Sequence, residues 1–153
     1  MIFAGIAALL AGTLVYLVDR PPEGTFFVHK FLPHLSLHNT LPPFFGKLGA
    51  VLPAFVHPFS LSLITAGVIA RTPAGCLAIC VFWFAVNSAF ELGQLFKSAA
   101  VFLVPEWFEH IPVLENCKSF FQNGTFDPLD LAAMFAGASL AFCLTALFMR
   151  KKV

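Results

Sequence analysis

Four long apolar runs, most of them closed by charge or proline, constrain this chain more than any other feature. They are Ile2–Val18, closed by Asp19-Arg20-Pro21-Pro22; about Leu52–Ala70, closed by Arg71-Thr72-Pro73; about Ala74–Phe96; and residues 129–149, closed by Arg150-Lys151-Lys152. The unbroken part of the last begins at Leu131. A helix needs roughly 20 apolar residues to cross a hydrocarbon core of about 30 Å. In lipid a helix satisfies its own backbone, so these runs read as spanning helices. The expected fold is all-α: one domain over residues 1–153, an integral membrane bundle of four transmembrane helices.

Composition agrees. Of 153 residues, 59% are hydrophobic and 11% charged, whereas a soluble domain carries about 25% charged residues. A net charge of +1 offers no basic field, so no nucleic-acid partner is expected. Cys76, Cys80, Cys117 and Cys143 spell neither a disulfide framework nor a zinc site. Cys76 and Cys80 share a helix face and read as small lipid- or core-facing residues. His29, His34 and His38 are interrupted by Pro33, and no carboxylate completes a metal set. No metal or cofactor is expected.

The first run has no basic start, and Tyr16-Leu17-Val18-Asp19 is a poor cleavage context, so it reads as a retained helix rather than a signal peptide. With four spans, the N-terminus, the Arg71 turn and the C-terminus share one side. Arg71, Arg150, Lys151 and Lys152 crowd that side without an acid, which predicts both termini in the cytoplasm. The two long loops, "GTFFVHKFLPHLSLHNTLPPFFGKLG" and "SAAVFLVPEWFEHIPVLENCKSFFQNG", mix Phe, Trp and Leu with Pro, His and charge. They predict interfacial helical segments in the headgroup layer.

Small residues at four-residue spacing predict close helix contacts. Ala4, Ala8 and Gly12 form such a face on the first helix, and Ala133, Gly137 and Ala141 on the fourth. The third helix carries a polar stripe instead. Asn87, Glu91, Gln94 and Ser98 follow at spacings of four, three and four, which is one helical face. Counted from Pro73, Glu91 lies about 27 Å along the helix, near the outer edge of the bilayer.

Other helix ends fall at the same level. The first helix exits at Asp19-Arg20, the second is expected to start through His57-Pro58, and the fourth starts at Asp127-Pro128-Leu129-Asp130. Arg20, His57, Glu91, Gln94, Asp127 and Asp130 are thus the candidate ligand-binding residues, in one polar layer. Each also has a plain structural use. Asp127 before Pro128 suits an N-cap, Asp130 favours the helix dipole, and Glu91 suits a carboxylate that pairs or snorkels.

The stretch from Glu91 to Ala141 resembles the signature of VanZ-like membrane proteins: a Glu-x-x-Gln at a helix end, a loop, then two Asp three residues apart and a later Gly. Glu91, Gln94, Asp127, Asp130 and Gly137 match, and "VYLVDRP" at the end of the first helix is in keeping. The chain departs at Gly124, where the family commonly has Arg, and at Met134, where it commonly has Asn. The resemblance implies a small multi-pass protein of the bacterial inner membrane with a role at the cell envelope. The family's namesake is associated with teicoplanin resistance, and the family has no agreed reaction.

The expectation is a polar outer-leaflet site that binds a lipid headgroup or another envelope ligand. No G-x-S-x-G and no H-E-x-x-H occurs, so an enzyme is not the favoured reading. Two alternatives stand beside it: an accessory subunit whose Phe-rich loops dock a membrane-protein partner, and a small transporter or proton pathway.

Overall fold

The computed structural model describes residues 1–150; Lys151 and Lys152 of the basic C-terminal stop lie outside the described residues. The described chain is all-helical. Four longer helices carry it: α1 (Ile2–Val18), α3 (Gly46–Ile69), α4 (Pro73–Leu95) and α7 (Pro128–Arg150). Between them lie short helices α2 (Phe26–Phe31), α5 (Lys97–Leu103) and α6 (Cys117–Asn123), with single 3-10 turns beside them. The two long loops are therefore helical in short pieces, as their composition predicted.

Three helices are long and apolar enough to cross a membrane: Gly46–Ile69, Pro73–Leu95 and Pro128–Met149. Helix α1 is equally apolar but has 17 residues, about 25 Å at 1.5 Å per residue. Its bounds match the apolar run, because Asp19-Arg20-Pro21 ends it. Helix α4 begins where Thr72 accepts from the Gly75 N–H at 3.1 Å, with Pro73 in the first turn.

Helix α3 starts six residues before the predicted Leu52 and contains Pro53 and Pro58. Proline lacks an N–H, so Pro53 leaves the Gly49 carbonyl without its helical donor. Arg20 supplies a substitute. Its Nη2 donates to Ala50 O at 3.0 Å and lies 3.5 Å from Gly49 O. Non-local donors of this kind let proline sit inside membrane helices.

Helix α3 is the centre of the bundle, packed against α1, α4 and α7, while α4 also packs on α7. A Cβ on Gly5 would meet Ser60 O at 2.8 Å, and one on Gly12 would meet Val56 Cγ1 at 2.8 Å. A Cβ on Gly137 would collide with the Phe55 carbonyl. Glycine at these points is what lets the backbones approach. The face of α1 differs from the expected one. Of the expected residues Gly12 is buried, Ala8 is half-buried and Ala4 is exposed, and Gly5, Val15 and Val18 complete the buried face. On α7 the expected Gly137 and Ala141 are buried, joined by Met134, Ala138 and Thr145.

Cys76 and Cys80 face the core, Cys80 with Leu63 and Ala141 and Cys76 with Ala66 and Ala70. Trp83 Nε1 donates to Thr65 Oγ1 at 3.0 Å and ties α4 to α3. Lys30 on α2 pairs with Glu115, which joins the two long loops. Lys118 hydrogen-bonds Glu109 at 2.5 Å, and this bond and charge hold the Glu109 carboxyl below the usual carboxylate range.

Candidate functional site

One end of the bundle gathers the C-terminal ends of α1 and α4 and the N-terminal ends of α3 and α7. Each terminus there leaves backbone groups without helical partners. Side chains from neighbouring helices fill them. Asp19, just past α1, accepts from Phe44 N–H at 2.8 Å, Phe45 N–H at 2.8 Å and Gly46 N–H at 3.0 Å. It thereby caps α3, whose start is turned by Gly46 at φ +51°.

Glu91 does the same for α7. It is 4% exposed. Its Oε1 accepts from Asp127 N–H at 2.7 Å and its Oε2 from Gln94 Nε2 at 3.2 Å. Gln94 is held in turn by the absence of a side chain at Gly124, where a Cβ would meet its Oε1 at 2.5 Å. The Glu-x-x-Gln spacing places both side chains on one face of α4, toward the α7 start. Asp127 acts as the expected N-cap, its Oδ1 accepting from Leu129 N–H at 2.9 Å before Pro128.

Asp130 stands differently. It is part-buried in the first turn of α7. It lies within electrostatic reach of Glu91, Asp127 and Arg20. No hydrogen bond or ion pair reaches its carboxylate among the described residues. Arg20 lies on its α1 side, with its guanidinium 5.0 Å from the Tyr16 ring centroid. A cavity of about 330 Å³ opens beside Arg20, lined by Asp19, Pro43, Gly46, Gly49 and Ala50.

Five of the six sequence candidates therefore converge: Arg20, Glu91, Gln94, Asp127 and Asp130. His57 does not join them. It lies eleven positions inside α3 rather than at its start. Its level is set by Phe55, which touches Gly137, seven residues past Asp130. His57 is thus roughly 13 Å deeper than Asp130 at 1.5 Å per residue. The polar stripe on α4 is also shorter than expected. Asn87 Nδ2 donates to Trp83 O of its own helix at 2.8 Å, and Ser98 lies in α5 beyond a break at Phe96.

Asp19 and Tyr16 belong to this end of the bundle and were not among the candidates. The signal for Asp19 was present: a carboxylate immediately past an apolar helix, at the level of other helix ends. Among the described residues no three His, Cys, Asp or Glu side chains converge as metal ligands. No protein-family model, curated protein or solved structure matches the chain.

Proposed function

We propose that the chain is a multi-pass membrane protein with four spans, α1, α3, α4 and α7, whose polar layer binds a headgroup-sized polar ligand. That ligand is a lipid headgroup or another envelope component. The observation that carries the reading is Asp130: a carboxylate that no hydrogen bond or ion pair reaches among the described residues, within electrostatic reach of Arg20, in a layer where Asp19, Glu91 and Asp127 are engaged. An unmatched charge at that level is costly unless something complements it.

The layer serves binding rather than catalysis. Both oxygens of Glu91 already accept hydrogen bonds, so it is not a free general base. The match of Glu91, Gln94, Asp127, Asp130 and Gly137 to the VanZ-like signature supports a cell-envelope setting. That setting implies the bacterial inner membrane with both termini in the cytoplasm.

The test compares Asp130→Asn with wild type for sensitivity to envelope-directed drugs, at equal protein level in the membrane. Loss of the wild-type response with an intact fold is expected. Wild-type behaviour of Asp130→Asn would remove the site.

A further inference from the structure

A second cavity, of about 480 Å³, lies against α4 on the face away from Glu91. It is an open groove bordered by α4, α5, the segment from Val104 to Phe108, and α6. Its depth comes from small residues, Ala89 and Gly93 on α4 and Ala99 and Ala100 on α5. Phe96, Phe108 and Phe121 wall it. Phe121 is seated over Gly93, where any Cβ would strike its ring. Apart from the thiol of Cys117, its side chains are apolar.

The groove has a charge at one end. Lys97 follows the lining residue Phe96, and its Nζ donates to the carbonyl of Gln122, which follows the lining residue Phe121. The ammonium is exposed, and no carboxylate pairs with it among the described residues. From Lys97 the groove runs back along α4 to Ala89, about 12 Å at 1.5 Å per residue. With α4 spanning the bilayer, Lys97 lies at headgroup level and Ala89 within the hydrocarbon. The order is cation first, then an apolar trough. A phospholipid is built in the same order.

We infer that this groove holds one acyl chain of an anionic phospholipid, with its phosphate at the Lys97 ammonium. Hydrocarbon gains no hydrophobic energy by leaving other lipid tails. The selection therefore comes from packing in the aromatic walls and from the lysine–phosphate contact. The inference needs α4 to span the membrane and is independent of the polar layer.

The experiment uses the full chain in vesicles doped with a phosphatidylglycerol carrying a diazirine in mid-chain. Irradiation is followed by peptide mapping. Label should concentrate on residues 89–96 and 99–104. Ala99→Trp, which fills the groove from an exposed position, should abolish that concentration at unchanged thermal stability. Lys97→Gln, which removes the exposed ammonium and its bond to the Gln122 carbonyl, should lower it by about two- to fivefold at unchanged thermal stability, the scale of one partly exposed charge contact. Three results would overturn the inference. Label could fall as heavily on the exposed faces of Phe3, Leu10 and Phe135; both variants could label like wild type; or the groove residues could cross-link to a second copy of the chain.

Discussion

Two helix starts at the same end of the bundle are capped by a carboxylate from another helix, and they differ in what surrounds the carboxylate. Asp19 receives three N–H groups of the α3 start. Glu91 receives one from the α7 start and one from Gln94. Counting bonds makes Asp19 the stronger cap. Burial reverses the order. The Phe44 and Gly46 bonds are exposed, so water can replace them. Glu91 is buried, its bond from Gln94 is buried with it, and Gln94 Nε2 orphaned there would keep its full desolvation cost.

The largest effect should accordingly follow Glu91→Ala, a loss of about 2–3 kcal/mol in unfolding free energy. Reversible unfolding of the purified protein in mixed micelles measures it. Asp19→Ala should cost less, about 1–2 kcal/mol, the usual range for a helix N-cap. Equal losses, or the reverse order, would show that bond number outweighs burial here.

The third prediction concerns the clamp beside Asp19. If Arg20 stands in for the N–H that Pro53 lacks, the two residues are coupled. Arg20→Gln should destabilise less in a Pro53→Ala background, where residue 53 again donates to Gly49 O. A double-mutant cycle should give a coupling of about 0.5–1 kcal/mol. Additive losses would mean that Arg20 serves only Ala50 O and the Tyr16 ring.

This coupling also explains which parts of the fold were legible in the sequence. Helix α1 ends at a charged, proline-containing stop. Helix α4 was expected over residues 74–96 and runs from Pro73 to Leu95. The α1 end and the α4 start are set by neighbouring residues, Asp19-Arg20-Pro21 and Thr72-Pro73, so a local reading suffices there. The start of α3 is fixed by Asp19 and Arg20, 25 to 30 positions away. Pro53 and Pro58 look like helix stops until those distant groups are in place. The same proline signal places His57 at a helix end, whereas it lies eleven positions inside α3. The Glu91, Gln94, Asp127 and Asp130 grouping was legible because helical spacing and capping chemistry point to it independently. The buried face of α1 was not, since alanines and glycines at four-residue spacing satisfy more than one register. Only the fit of Gly5 and Gly12 against α3 chooses between them.

The smallest stability effect should come from Asp130→Asn, and it is the sharpest test of the comparison. The α7 start already has its caps. Asp127 accepts from Leu129 N–H and Glu91 accepts from Asp127 N–H. Asp130 at the third helical position still gains from the helix dipole, about 0.3–1 kcal/mol for an exposed charge. Against this gain stand its partial burial and repulsion from Glu91 and Asp127, which the attraction of Arg20 offsets only in part. The opposed contributions should nearly cancel, leaving the change within about 0.5 kcal/mol. The same unfolding measurement used for Glu91→Ala reads it. A loss as large as that of Glu91→Ala would make Asp130 a third structural cap, and the layer would hold no surplus charge. A near-zero change combined with a lost envelope-drug response separates the roles: Glu91 and Asp19 hold helices in place, while Asp130 is left for a ligand.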